Sequence, residues 1–197
     1  MCGRYQFSLE QPALRAMWEQ AQQRFPNIRM EAGEIFPTQF VPVLVDEGGT
    51  LRPQPLRWGF PGAAGKGAVI NARAETAASK PMFRSSLQSR RCAVPTSGFF
   101  EWTHDHAKNK YRFRMADSEV LYLAGLYRDF DGERRFVILT RPADASIADV
   151  HDRMPVILRE GQLDAWVRDS RQTEFLLTQQ APPLARHSED YEQQSLF

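Results

Sequence analysis

Cys2 and Gly3 open the sequence MCGRYQF, and a cysteine in second position is chemically pointed. Aminopeptidases remove an initiator methionine ahead of a small residue, which leaves Cys2 with a free α-amine and a thiol on one carbon frame. The amine titrates at about 7.7 to 8 and the thiol at about 8.5, so both are nucleophiles near neutrality. An aldehyde is the natural target of such a pair. The amine adds to the carbonyl, water leaves to give an imine, and the thiol closes on the imine carbon to form a thiazolidine. The same two groups also suit amide cleavage, with the thiol as nucleophile and the amine as base.

Three further islands carry candidate groups. In SGFFEWT, strand alternation places Phe99 and Glu101 on one face and Phe100 and Trp102 on the other. A carboxyl among aromatics is desolvated and its pKa rises toward the range of a general acid or base, unless an arginine neutralises it. In WGFPG and INARAET, Trp58 is either a core aromatic or an exposed stacking platform for bases. Asn71 can hold a backbone terminus or a substrate oxygen, or simply form a turn, and Arg73 with Glu75 can be a surface ion pair. In DVHDRMPVIL, His151 sits among Asp149, Asp152 and Arg153 just ahead of a strand. It can move a proton or bind an oxyanion, or it can be structural. His104, His106 and His187 lie in polar stretches and read as solvated. Arg4 offers a guanidinium fork beside Cys2.

The elements that must position these groups follow from periodicity. Ser8 reads as the N-cap of a helix through LEQPALRAMWEQAQQRF, with Pro12 in its first turn and an apolar stripe of Leu14, Met17, Trp18 and Ala21. FVPVLV, TLRPQPLRWGF and AVI are β-rich runs, with a turn at Glu47-Gly48-Gly49. A polar loop leads to a short helix near 82–89. Strands resume in CAVPTSGFFEWT, KYRFRM, VLYLAGLY and, after the Asp131-Gly132 turn, RRFVILT. MPVIL is a strand, EGQLDAWVRD and QTEFLLTQQ are helices, and the tail from about 181 reads as irregular. The expected fold is one α+β domain over residues 1–197, a curved, mostly antiparallel sheet or open barrel with flanking helices.

The 197 residues suffice for a sizeable core, and two cysteines without paired Cys/His spacing provide neither a disulfide framework nor a zinc motif. No metal, cofactor or membrane anchor is implied, and a cytoplasmic monomer is expected. Net charge is +1, yet residues 52 to 91 carry eight basic groups against Glu75 alone. That clustering suits a polyanionic partner.

MCGR, NARAET, GFFEW and HDRMPV, in this order and at this chain length, resemble the SOS response-associated peptidase (SRAP) family from Cys2 to about Trp166. The resemblance implies a sensor that captures abasic sites in single-stranded DNA as a thiazolidine crosslink through Cys2. In that reading Asn71 positions the amino end, Glu101 is the acid/base group for imine formation and reversal, and His151 protonates the sugar oxygen. Arg4, Arg73, Thr140 and Arg153 would contact DNA, Trp58 would lie against the bases, and a peptidase activity would act on the protein's own methionine. Association with the nucleoid and replication forks follows from the same likeness.

Two other classes fit parts of the sequence. An N-terminal-cysteine amidohydrolase also begins Met-Cys-Gly, although no downstream glutamine-binding motif follows, and release of ammonia from glutamine discriminates it. A non-catalytic single-strand-binding module would use the basic segment and Trp58 and would be indifferent to Cys2→Ala.

Overall fold

The computed structural model describes residues 2–65, 67–105 and 107–188. Met1, His106 and the closing YEQQSLF stretch, on which the readings of methionine removal, a solvated histidine and part of the tail fall, lie outside the described residues. The elements in chain order are β1 (Arg4–Phe7), α1 (Pro12–Arg24), β2 (Gly33–Ile35), β3 (Phe40–Glu47), β4 (Thr50–Trp58), β5 (Phe60–Pro61), β6 (Ala68–Val69), β7 (Asn71–Arg73), α2 (Ala74–Ala77), α3 (Pro81–Ser89), β8 (Arg91–Thr96) and β9 (Gly98–Trp102). They continue with β10 (Lys110–Met115), β11 (Leu121–Phe130), β12 (Glu133–Pro142), β13 (Arg153–Pro155), β14 (Ile157–Leu158), α4 (Leu163–Arg168), α5 (Thr173–Thr178) and β15 (Leu184–Ser188).

Two sheets share the load. One runs β15-β10-β9-β1-β2, and the other runs β13-β12-β4-β3-β8-β11-β14. In the second, β12 pairs antiparallel with β11 and parallel with β4 at Arg135↔Arg57 and Phe136↔Trp58, so the ring closes on itself. Two residues further along, β12 exchanges β4 for β7, in register Ile138↔Asn71 through Thr140↔Arg73. The Gly48-Gly49 and Asp131-Gly132 turns carry positive φ at both central residues, as tight hairpins require.

Strand alternation sorts side chains into two cores. Val41, Val43, Val45, Leu56, Trp58, Cys92, Val94, Leu121, Leu123, Phe136 and Ile138 join Phe99 and Phe113 of the other sheet inside. Leu44, Ala93, Tyr122, Ala124, Leu126, Val137 and Leu139 face out, under Leu87 of α3, Leu163, Trp166 and Val167 of α4, and Leu176 of α5. The helices therefore cover one face of a sheet whose other face is filled from within, and both faces read as apolar. Arg91 of β8 lies on the covered side, where it donates to the Trp166, Leu87, Gln88 and Val167 carbonyls and so ties the last turns of α3 and α4 to the sheet.

The structure revises two expectations. Ser8 does not cap α1. Its Oγ accepts from the Glu10 amide in a preceding turn, and the helix starts at Pro12, whose missing N–H and fixed φ suit a first position. The tail from 181 is not wholly irregular, because Leu184–Ser188 forms β15 against β10. Its sequence, LARHS, has no β-branched residue, and only backbone pairing with a neighbour makes it a strand. Among the described residues, no helix is long and apolar enough to cross a membrane.

The chain passes from one sheet to the other at Ser97-Gly98. Thr96 Oγ1 donates toward the Gln6 and Gly98 carbonyls and accepts from the Gly98 amide, fixing the bend. Gly98 has φ +154°, and a Cβ there would lie 2.8 Å from the Phe113 carbonyl oxygen. Gly98→Ala is therefore expected to cost about 1 to 3 kcal/mol, through strain and through displacement of β10 from β9. Equilibrium denaturation in urea measures it, and an unchanged midpoint would contradict the close approach.

Candidate active site

The amino terminus is held where most termini fray. Strand β1 is paired on both sides, through Tyr5↔Ile35 with β2 and through Arg4↔Phe100 and Tyr5↔Phe99 with β9. Cys2 lies two residues ahead of this strand and is fully buried, its Sγ 3.9 Å from the Arg4 carbonyl oxygen. Asn71 Nδ2 donates to the Cys2 carbonyl at 2.9 Å. Asn71 reaches it because β7 lies parallel beside β12, with Ala72 packed in the outer core and its two neighbours directed the other way. Below, Tyr5 tilts against Trp58 at 5.1 Å between ring centroids, and Trp58 stacks on Phe136 at 6.3 Å.

Glu101 comes to the same place from β9, on the face it shares with Phe99, and is 2% exposed. Burial pushes its carboxyl up to about 7, with the negative charge of Asp152 acting in the same direction. The group therefore titrates near neutrality, as an acid or base working at physiological pH must. Burial also pushes the Cys2 thiol up, and the Glu101 charge adds to this. His151 Nε2 lies 3.9 Å from Glu101 Oε2. His151 Nδ1 accepts from the Arg153 amide at 2.9 Å, which leaves the proton of a neutral imidazole on Nε2, facing Glu101. Burial lowers the pKa of His151, so the neutral ring dominates at physiological pH, although Asp152 opposes this. A ring turn from Ile147 to His151, closed by the Val150 and His151 amides on the Ile147 carbonyl, sets the histidine just ahead of β13.

Cys2, Asn71, Glu101 and His151 thus come from four separate segments and converge. Together they bring a thiol, a backbone anchor and two titratable side chains to one place.

The five residues expected to contact DNA divide. Arg73 is exposed. Arg4 is half-buried, donates to Glu34 at 2.7 Å and lies 3.8 Å over the Phe36 ring. Trp58 and Thr140, however, are fully buried. Trp58 donates Nε1 to the Ile70 carbonyl at 3.0 Å and is a core aromatic with no open face, because closure of the ring by β12 seals that side. Thr140 accepts from Arg153 Nη2 at 3.2 Å, and Arg153 is itself engaged with Glu75 at 2.9 Å. Glu75 therefore pairs with Arg153 and not with Arg73. The basic segment is also partly internal: Arg91 is buried, Arg57 bonds the Thr38 carbonyl and Glu133, and Arg52 faces Glu47.

Two neighbours escaped sequence reasoning. Lys110 lies opposite Trp102 in register, 4.1 Å over the Phe100 ring, and shares Glu34 with Arg4. Alternation in KYRFRM was the available signal. His104, expected to be solvated, is exposed but sits with its ring 4.5 Å from that of His151. No spacing rule relates residues 47 apart.

A buried acid that titrates near 7 costs stability, with a definite sign. At pH 4 folded and unfolded chains both protonate Glu101; from about 4.5 to about 7 the unfolded carboxyl ionises first, and above 7 the loss is complete. Glu101→Gln is expected to raise stability by up to about 3 kcal/mol at pH 8 and by little at pH 4. Denaturant unfolding at the two pH values checks this, and equal effects at both would contradict a raised pKa.

The SRAP family model, described as SOS response associated peptidase, matches residues 1–192. The chain is 34% identical over 146 residues to the abasic site processing protein YobE of Bacillus subtilis, a match covering 68% of this chain and 66% of that protein. It is 32% identical to YoaM of the same organism, over 82% of this chain and 77% of that one, and 30% identical to YedK of Escherichia coli, over 85% and 80%. Both relatives are also abasic site processing proteins. Among solved structures, a protein from Bacteroides thetaiotaomicron superposes with a TM-score of 0.75 at 22% identity, covering 98% of this chain and 94% of that one. Another from Bordetella bronchiseptica gives 0.74 at 24%, covering 95% and 99%. With the family's sequence pattern running through every element that builds the site, the chain belongs to the SRAP family.

Proposed function

We propose that this protein processes abasic sites in DNA by capturing the open-chain sugar aldehyde of a single-stranded lesion on Cys2 as a thiazolidine. The observation that carries the reading is the hydrogen bond from Asn71 Nδ2 to the Cys2 carbonyl, which holds the first residue of a processed chain beside Glu101. The names of the relatives, abasic site processing proteins, support the substrate class.

The electrostatics suggest an order of steps. The thiol is held protonated by its burial, so the α-amine attacks first. A C–N bond forms to the aldehyde carbon, His151 Nε2–H donates a hydrogen bond to the developing oxyanion, and one proton of the attacking nitrogen passes to that oxygen. Protonated Glu101 then delivers a proton to the hydroxyl, which leaves as water, and the resulting imine carbon accepts the sulfur. The thiol proton returns to Glu101, which ends the sequence protonated as it began. The net reaction joins aldehyde and aminothiol and releases one water. Reversal runs through the same carboxyl. On this reading the protein works as a monomer in the cytoplasm at exposed single strands, and its peptidase activity is confined to its own methionine. The opened lesion has no base to unstack, so the bare sugar enters without base flipping.

The test mixes the Met-processed protein with a single-stranded oligonucleotide carrying one abasic site, followed by a denaturing gel. A heat-stable shifted band is expected, absent from Cys2→Ala and from the intact oligonucleotide. No band from protein whose N-terminus is confirmed as Cys2 by mass would overturn the reading, and release of ammonia from glutamine would replace it.

The rate of crosslinking is expected to pass through a maximum near neutrality. It rises as the amine loses its proton and falls as Glu101 loses the proton that expels water. In Glu101→Gln the alkaline fall disappears and the rate drops by about 10²- to 10⁴-fold. An unaltered profile would remove Glu101 from the chemistry.

A further inference from the structure

We propose that the mouth of this site is also a binding site for a divalent transition-metal ion, held by His104, His151 and Asp152, and that the ion switches capture off. The inhibitory half of the proposal rests on the function proposed above; the binding half does not.

One ligand atom from each of the three residues lies within 4.8 Å of the other two. They reach this position from two segments. His104 follows β9, while His151 and Asp152 end the turn before β13. The arrangement has the composition of a metal site more than of a hydrogen-bonded cluster. His151 Nδ1 lies 2.8 Å from Asp152 Oδ1, yet the same nitrogen already accepts from the Arg153 amide at 2.9 Å. The ring nitrogen has one lone pair, so when it serves the amide the carboxylate oxygen is a second acceptor pressed against the first. A cation relieves that contact by taking both as ligands. Zinc with bonds of about 2.0 to 2.2 Å needs ligand atoms about 3.3 Å apart, a little wider than this pair and inside the 4.8 Å that bounds all three. The His104 and Asp152 side chains are exposed, so their rotation closes the set at small packing cost.

Two imidazoles and one carboxylate select zinc, cobalt, nickel or copper(II) over magnesium or calcium, which take oxygen ligands. Three protein ligands leave positions open to water. By taking Nδ1 the ion displaces the Arg153 amide that orients the ring, so Nε2–H no longer faces the sugar oxygen. The oxygen of the opening sugar then loses its hydrogen-bond donor.

The experiment titrates chelator-treated, Met-processed protein with CoCl2 and with ZnCl2, by absorbance and by calorimetry, beside His104→Ala and Asp152→Asn. One saturable site is expected, with affinity reduced about tenfold or more in either variant. Zinc is expected to suppress crosslinking in the wild type, while His104→Ala crosslinks at the metal-free wild-type rate and resists zinc. A thiolate-to-cobalt charge-transfer band would place the ion on Cys2 and overturn the proposal, as would unchanged affinity in both variants. Failure of metal-free wild type to crosslink would instead overturn the capture reading, and the titration would still decide the site.

Discussion

A single hydrogen bond, from Asn71 Nδ2 to the carbonyl of Cys2, fixes the residue on which the proposed chemistry depends. Its energy is modest, about 1 kcal/mol for such a bond. Its consequence is larger, because everything that brings the donor to that point is long-range architecture. Asn71 stands where it does because β7 takes over from β4 as the parallel partner of β12, and β12 can change partners there because it closes the ring. The pairing of β1 with both β2 and β9 supplies the other half of the restraint. On the proposed reading, an aminothiol without this frame would search conformations at each encounter, and the entropy of that search would be added to the barrier.

The same frame sets the electrostatics. Glu101 and the Cys2 thiol are both desolvated, and the charge on the first raises the pKa of the second. Two groups that would each prefer to ionise in water therefore share a volume in which only one charge is tolerated. This favours a neutral thiol and a carboxyl near half-protonation, which on the proposed reading is the state in which an amine attacks first and an acid stands ready to expel water. His151 completes the set from the opposite direction, with Nδ1 committed to the backbone and Nε2 left with the proton. Burial that costs stability is thus the source of the reactivity.

Much of this was legible in the sequence where local rules govern. The glycine turns, the helix near 82–89 and the alternation that puts Phe99 with Glu101 depend on neighbours within a few residues. What was not legible depends on closure. Trp58 looks the same as an exposed platform until β12 arrives from nearly eighty residues away and covers it. Arg91 contributes to a basic segment on paper, yet in space it ends beneath two helices, its guanidinium spent on carbonyls. Ser8 resembles a cap because composition cannot say that Pro12 will start the helix four residues later. The meeting of His104 with His151 has no trace at any sequence period.

The rim of the site shows why a count of arginines is a poor measure of nucleic-acid affinity. Arg4 and Lys110 both hold Glu34, whose carboxyl lies below the usual carboxylate range because their hydrogen bonds outweigh its partial burial. Their cationic groups also rest on Phe36 and Phe100. On the proposed reading, a phosphate arriving here does not meet two free cations. It competes with a carboxylate already in place, so the exchange returns less energy than two unpaired charges would. In compensation, the guanidinium is already oriented, with its face on an aromatic ring and Nη1 on Glu34, and little side-chain entropy remains to be lost. The cluster therefore contributes register more than strength. That suits a reaction whose selectivity comes from an aldehyde in the pocket and only secondarily from the backbone outside it.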